Sequence, residues 1–143
     1  MKKARHLLLL LLILATLRSF GSDTLGPLYD YLSQLPGITI ERQEFIEPFT
    51  EKYLIYVPQF IDHNDTSLGT FMQRVFVMHR EKDDPVVFTT EGYGADYGFY
   101  KQYRNELDYY LGANEVLVEH RYFGPSTPDP LDWQYMTVEN AST

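Results

Sequence analysis

The spacing of hydrophobic positions near the start of the chain predicts a short amphipathic helix. Apolar side chains recur every three or four residues between positions 25 and 35, as they do on one face of an α-helix. Pro27 lies near the start of this segment, and Pro36 and Gly37 follow it, which are the positions where these residues delimit helices. We expect this apolar stripe to pack against the core.

Two later segments have the composition of β-strands. Residues 49–60 are rich in Tyr, Ile, Val and Phe, and residues 71–79 alternate between two sets of side chains. The polar, turn-forming segment 62–69 connects them. Together the three segments predict an antiparallel hairpin.

The next part of the chain has the pattern of a parallel unit. Short apolar runs at residues 86–90 and 116–118 are each followed by a glutamate. Between them, residues 97–111 carry tyrosines and leucines at helical spacing. This order of strand, helix and strand predicts a βαβ unit with a right-handed crossover. We therefore expect an α/β fold in which an antiparallel hairpin leads into a parallel βαβ unit.

The last residues predict a sheet that is incomplete in this sequence. Residues 131–136 form an aromatic loop, and Thr137 is placed to cap a helix that begins there. Only two parallel strands precede this helix, which leaves both edges of the sheet open. We expect residues 22–143 to be the N-terminal portion of a larger domain whose C-terminal part is missing.

The first 21 residues have the pattern of a cleaved secretory signal peptide. Basic side chains at the start precede an apolar run from Leu7 to Ala15, which is too short to span a bilayer. Ser19 and Gly21 are small residues at the positions that a cut after Gly21 requires. The pattern predicts a secreted or periplasmic protein with no stable membrane span. A signal anchor that keeps these residues attached is the alternative.

Charge and residue types narrow the range of partners. The chain has 12 Lys and Arg against 20 Asp and Glu, a formal net charge of −8. Removing residues 1–21 takes away four basic and no acidic side chains, so the net charge becomes −12. This charge argues against nucleic acid and anionic membranes as partners. The chain has no cysteine, and His63, His79 and His120 lack the spacing of metal ligands, so we expect no metal and no cofactor.

The residues at the carboxyl ends of the two parallel strands are the candidate site. Neighbouring parallel strands place these ends at one edge of the sheet, where α/β proteins bind ligands. The first strand leads into Glu91, Gly92, Tyr93 and Gly94, a turn whose glycines let backbone N–H groups point outward. Such a turn can supply an N–H group to the oxyanion hole of an acyl hydrolase.

Alternatives remain open for the charged side chains. Glu91 either binds a cationic group of a substrate or forms a buried ion pair with Arg121, and composition favours the ion pair. His120 is either a base or a hydrogen-bonded structural residue, and a single histidine at a strand end favours the structural role. Arg74 and Arg121 are suited to hold acidic loops by bidentate hydrogen bonds. The sequence has no G-x-S-x-G turn to present a serine nucleophile.

Four sequence blocks in order resemble the N-terminal part of secreted bacterial tripeptidyl aminopeptidases. These are serine peptidases with an α/β-hydrolase domain, and they are similar in turn to prolyl carboxypeptidase. The resemblance extends from residue 33 to the end of the chain. The blocks are YVPQFIDH at residues 56–63, GTFMQR at 69–74, TEGYG at 90–94 and VEHRYFG at 118–124.

The resemblance implies a secreted serine exopeptidase that releases tripeptides from the N-termini of peptide or protein substrates. It also implies that the catalytic Ser, Asp and His lie in the missing C-terminal part, so that this chain alone is inactive. By position, the backbone N–H groups of Gly92 and Tyr93 would serve the oxyanion hole, and Glu91 would bind the substrate's free amino group. The other matched residues would brace the site without a catalytic role: Glu119, His120, Arg121 and Tyr122.

A different class of function is the alternative. The chain has 12 tyrosines, a residue type that contributes strongly to binding at interfaces. They are compatible with a small secreted binding protein that has a tyrosine-rich surface. Most of these tyrosines, however, fall at spacings that predict a core position.

Overall fold

The computed structural model describes residues 25–142, which form a five-stranded mixed sheet with few helices. This confirms the predicted α/β class, while the predicted signal segment 1–21 lies outside the described residues. The strands are β1 (Thr39–Arg42), β2 (Glu51–Phe60), β3 (Thr70–His79), β4 (Val86–Glu91) and β5 (Asn114–Glu119). The helices are α1 (Pro27–Leu32), α2 (Glu106–Leu111) and α3 (Val138–Ser142), with 3₁₀ turns at Thr66–Leu68, Asp96–Phe99 and Trp133–Tyr135.

The predicted hairpin is confirmed as the longest pairing of the sheet. β2 and β3 pair antiparallel from Glu51 opposite His79 to Phe60 opposite Thr70. The sequence analysis missed β1, which extends the sheet by pairing antiparallel with β2. β1 has only four residues, two of them charged, so it carries no apolar alternation that predicts a strand.

The predicted parallel pair is also confirmed, and its position in the sheet determines where the site lies. β4 and β5 pair in parallel, with Glu91 opposite Glu119 at their carboxyl ends. β5 also pairs antiparallel with β3, so the strand order is β1-β2-β3-β5-β4. β4 is therefore an edge strand among the described residues.

The predicted helix over residues 97–111 is wrong in its extent. The 3₁₀ turn Asp96–Phe99 comes first, and α2 begins only at Glu106. Asn105 sets that start, because its side chain accepts the Leu107 N–H at 2.9 Å while Asp108 accepts the Asn105 N–H at 2.9 Å. The apolar residues of α2 are exposed and Asp108 is its buried residue, so these apolar side chains do not form a core face.

Two hydrophobic clusters lie on opposite faces of the sheet. One contains Leu54, Phe76, Met78 and Leu117 and is covered by the crossover between β4 and α2. In this crossover, Gly98 packs on the Phe76 ring, where an added Cβ would lie 2.6 Å from a ring carbon. The other cluster is covered by α1 and by partly buried side chains, and its buried members are Leu32, Tyr53, Ile55 and Val75. Between residues 25 and 142 no helix has the length and apolar character needed to cross a membrane.

Candidate active site

The carboxyl ends of β4 and β5 bring the two predicted motifs together. Glu91 ends β4 and Glu119 ends β5, and the two residues are register partners. The turn at residues 92–95 follows the first strand and the turn at 120–124 follows the second. The rings of Tyr93 and Phe123 meet edge to face at 5.3 Å across these two turns. The predicted adjacency of the two strand ends is therefore confirmed.

Glu119 is fully buried and joins the two turns. Its Oε1 atom accepts the backbone N–H of Ala95 at 2.9 Å and a hydrogen bond from Arg74 Nη2. Its Oε2 atom accepts the Ser126 hydroxyl at 2.6 Å, and that hydroxyl in turn accepts the Arg74 backbone N–H at 2.9 Å. A buried carboxylate with an opposite charge and three donors has the partners that replace its lost hydration.

Arg74 reaches this carboxylate from β3 across the sheet. Its guanidinium also bonds Asp96 Oδ1 at 2.6 Å, so it links β3, β5 and the crossover. Burial lowers the pKa of Arg74, but the bonds to Glu119 and Asp96 outweigh burial and raise it above its ordinary value. The guanidinium lies 5.7 Å from the Phe76 ring and 5.2 Å from the Phe99 ring.

Gly124 makes room for the Glu119 carboxylate at the second turn. Its backbone has a φ of 49°, in the left-handed region, and a Cβ there would lie 2.8 Å from Glu119 Oε1. Both the conformation and the contact therefore require glycine. Tyr122 is also left-handed, with a φ of 71°, and is buried against Phe71 and Trp133. Burial raises the pKa of its hydroxyl, and the neighbouring Arg121 charge opposes that rise.

The two predicted oxyanion donors in the turn after β4 differ in whether their N–H groups are occupied. The Gly92 N–H donates to Glu91 Oε1 at 3.0 Å, so this N–H is occupied. Within the described part of the chain, no hydrogen bond occupies the N–H of Tyr93. The Tyr93 side chain is 72% exposed. Of the two predicted oxyanion donors, Tyr93 is therefore the accessible one.

The predicted ion pair between Glu91 and Arg121 does not form. Glu91 Oε2 instead accepts a hydrogen bond from the Tyr97 hydroxyl. Arg121 donates to the carbonyls of Phe60 at 3.1 Å, Ile61 at 2.6 Å and Asn140. The buried guanidinium thus ties the end of the hairpin to α3, because its two Nη atoms donate to three converging carbonyls and not to a carboxylate.

His120 and α3 complete the surroundings. The His120 Nδ1 atom lies 2.6 Å from the Arg121 carbonyl, and its ring packs 5.6 Å from Phe123. The helix predicted to begin at Thr137 is confirmed, since the Thr137 hydroxyl accepts the Asn140 N–H at 3.1 Å. Asn140 also accepts the His63 backbone N–H at 3.0 Å, which attaches α3 to the hairpin connector.

A cavity of about 390 Å³ opens beside these strand ends. Its floor is apolar and includes Val57, Val75 and Val118, whereas Glu91 and His120 bring polar groups to it. Among residues 25–142, no group of three or more His, Cys, Asp or Glu side chains is placed to hold a metal ion.

The sequence model of PS-10 peptidase S37 matches residues 26–143. The chain belongs to this peptidase family. The predicted resemblance to tripeptidyl aminopeptidases is thereby confirmed. A prolyl tri/tetrapeptidyl aminopeptidase from Streptomyces mobaraensis is 30% identical to the chain over 114 residues. The match covers 80% of this chain and 23% of the relative, so the chain spans about a quarter of that protein's length.

The structure of this S37 family chain also contains a buried polar cluster that the sequence analysis missed. Glu115, on β5, accepts the Tyr103 hydroxyl at 2.8 Å and the Asn105 N–H at 3.3 Å, and Asp108 shares that N–H. Lys52 lies nearby and donates to the Tyr100 carbonyl at 2.9 Å. Burial raises the pKa of Glu115 to about 7 and lowers that of Lys52. The sequence signal that could have located this cluster is the helix-capping pattern formed by Asn105 and Asp108, three residues apart.

Proposed function

We propose that this chain forms the N-terminal part of the α/β-hydrolase domain of a secreted serine exopeptidase. The whole enzyme would release tripeptides from the N-termini of peptide or protein substrates. Family membership supports a peptidase, and the S. mobaraensis relative carries the name of a tri- and tetrapeptide-releasing aminopeptidase. The secretion signal predicted in residues 1–21 supports export from the cytoplasm.

The observation that carries this proposal is the open N–H of Tyr93 beside a braced turn. Acyl transfer by a serine peptidase forms a tetrahedral oxyanion, which backbone N–H groups stabilise when they are already in position. Ala95, two residues after Tyr93, is anchored to Glu119, and Gly92, one residue before it, is anchored to Glu91. The Tyr93 N–H is therefore held from both sides and needs little rearrangement when negative charge develops.

The other site residues receive binding and bracing roles in this proposal. Glu91 binds the free amino group of the substrate, since its carboxylate lies at the same turn and is only partly buried. Glu119 and Arg121 brace the site through the contacts described above, while His120 packs on Phe123 and Tyr122 on Phe71. None of these four is assigned a proton-transfer or nucleophilic role.

The catalytic Ser, Asp and His belong to the rest of the enzyme in this proposal. The sequence contains no G-x-S-x-G turn, and the match covers only 23% of the relative. β4 pairs with β5 on one side, and its other edge offers unpaired backbone groups to a further strand. We propose that the missing C-terminal part pairs there, and that this chain alone does not hydrolyse peptides.

Serine-directed labelling tests the proposal. A fluorophosphonate probe should leave the purified 143-residue chain unlabelled, but should label the product of the complete coding sequence at one serine. That product should release tripeptides from a peptide with a free N-terminus. Stoichiometric labelling of the 143-residue chain would contradict the assignment of roles, and a complete product without peptidase activity would contradict the function.

One observation favours the alternative of a small secreted binding protein. α2 exposes Leu107, Tyr109, Tyr110 and Leu111, which are 58–79% accessible, although apolar side chains on a helix usually face a core. The two tyrosine rings meet edge to face at 5.5 Å. A cooperative unfolding transition of the isolated, monomeric chain would support this alternative. Aggregation or a molten state would support the fragment, because uncovered sheet edges and apolar surfaces associate.

A further inference from the structure

We propose that Tyr97 is a positioning residue that holds the Glu91 carboxylate ready for a substrate ammonium group, and thereby selects free over blocked N-termini. This inference rests on the proposed function, in which Glu91 binds the amino end of the peptide. It assigns a specificity role to a residue outside the strand-end motifs, on the 3₁₀ turn Asp96–Phe99 of the crossover.

The geometry of Glu91 shows what Tyr97 does. One carboxylate oxygen, Oε1, accepts the Gly92 N–H at 3.0 Å, and the other, Oε2, accepts the Tyr97 hydroxyl. Two donors on two different oxygens fix the rotation of the carboxylate about its terminal bond. A carboxylate has about four acceptor positions, so each oxygen keeps capacity for a further donor. An ammonium group supplies three donors and a positive charge.

Tyr97 is itself held by the buried cluster. Its ring packs on the Tyr103 ring with centroids 4.8 Å apart. Tyr103 in turn donates its hydroxyl to the buried Glu115 at 2.8 Å. The position of the Tyr97 hydroxyl is thus determined by the core, which is the condition for a pre-oriented binding group.

The hydroxyl of Tyr97 also stays protonated, and so remains a hydrogen-bond donor, throughout the pH range in which peptidases work. Burial, followed by the hydrogen bond to Glu91, raises the Tyr97 pKa well above its ordinary value of 10.0. A protonated Tyr97 hydroxyl keeps the proton that it donates to Glu91 Oε2. An acylated substrate nitrogen has no charge and at most one N–H group, so it gains little from this arrangement.

Substrate pairs that differ only at the amino group test the inference. The complete enzyme and its Tyr97→Phe variant should be compared on a tripeptide p-nitroanilide and on the N-acetylated form. In the variant, KM for the free peptide should rise about tenfold, the order expected for weakening a charge-assisted contact, while kcat changes little. The preference for the free over the acetylated peptide should fall by a similar factor. Glu91→Gln should lose the same preference, which provides a second variant if Tyr97→Phe folds poorly.

Two further tyrosine variants serve as controls. Tyr110→Phe, at a 79% exposed position on α2, should leave both the stability and the preference unchanged. Tyr103→Phe removes the hydrogen bond to Glu115 but leaves the hydrogen bond between Tyr97 and Glu91 in place. This variant should therefore be less stable but keep most of the preference for the free peptide. A folded Tyr97→Phe enzyme that keeps the full preference would overturn the inference alone. A wild-type enzyme that cleaves neither peptide would overturn the proposed function and the inference with it.

Discussion

The Glu119 carboxylate, at the end of β5, accepts the backbone N–H of Ala95 in the turn after β4 at 2.9 Å. This one bond fixes the distance between the two strand-end turns. Arg74 neutralises the same carboxylate from β3, so the turn is held by two strands that are not its own. The position of the candidate oxyanion donor, Tyr93, therefore depends on a buried charge pair that anchors Ala95, two residues later in the same turn.

Replacing Glu119 by glutamine should destabilise the protein strongly. The substitution keeps the shape of the side chain but leaves the Arg74 charge buried beside an amide. Breaking a buried ion pair in this way costs about 3–5 kcal/mol, and the bond from Arg74 to the exposed Asp96 should reduce the loss toward the lower value. Urea denaturation measures this cost. Glu44→Gln, at an exposed position, is the matched control and should change the free energy of unfolding by less than about 0.5 kcal/mol.

Alanine at Gly124 should be destabilising for two separable reasons. The left-handed backbone costs a residue with a Cβ about 1–2 kcal/mol, and the new Cβ would press on Glu119 Oε1, 2.8 Å away. Gly112 is also left-handed, with a φ of 62°, but the atom that its Cβ would meet is the end of the half-buried Arg80 side chain, which can move away. Gly112→Ala therefore measures mainly the backbone cost. Gly124→Ala should be the more destabilising of the two, because buried hydrogen bonds hold the Glu119 carboxylate in place. Equal unfolding midpoints for the two variants would argue against a tight contact at Glu119.

Glu115 should make the protein less stable as pH rises. Its pKa is raised by burial from 4.5 to about 7, so the folded state binds the proton more tightly than the unfolded state. The stabilisation is present below about pH 4.5 and is lost progressively up to about pH 7, where the folded state also releases the proton. The loss is of the order of 3 kcal/mol, given about 1.4 kcal/mol for each pKa unit and a rise from 4.5 to about 7.

Glu115→Gln is the variant that checks this dependence, because glutamine can still accept the Tyr103 hydroxyl. Urea midpoints measured from pH 5 to pH 8 should fall for the wild type and should fall less for the variant. The difference between the two proteins removes the contribution of the other titrating groups. Parallel curves for the two proteins would show that Glu115 ionises normally in the folded state.

Arg121→Lys should loosen α3 from the hairpin. The planar guanidinium of Arg121 donates from two nitrogens to the carbonyls of Phe60, Ile61 and Asn140. Lysine carries its three donors on one nitrogen and cannot reproduce this arrangement. Amide hydrogen exchange should accelerate at His63, whose N–H is held by the Asn140 side chain. The amide of Phe76, in the centre of β3, is the internal reference and should exchange at its original rate. Equal acceleration at both amides would indicate global destabilisation instead of local release.

The sequence alone determined the elements whose information is local. The alternation in β3 and the apolar run of β5 predicted strands because side chains on a strand alternate between its two faces and a strand covered on both faces is apolar throughout. The four ordered blocks were sufficient to predict the peptidase family. Local information also existed where the prediction was wrong: the Asn105 cap marks the start of α2, but the regular spacing of tyrosines predicted a longer helix.

Only the tertiary structure decided which charges meet. Glu91 and Arg121 have opposite charges and both follow strands, yet Glu91 bonds Tyr97 and Arg121 bonds three carbonyls. The partners of Glu119 are Arg74 on β3, Ala95 in the turn after β4 and Ser126 beyond the second turn, and Arg74 lies 45 residues away in the chain. Such pairings depend on strand order and register, which place β5 between β3 and β4. The sign of each charge can be read from the sequence, but the distance between two charges depends on how the strands of the sheet are ordered and packed.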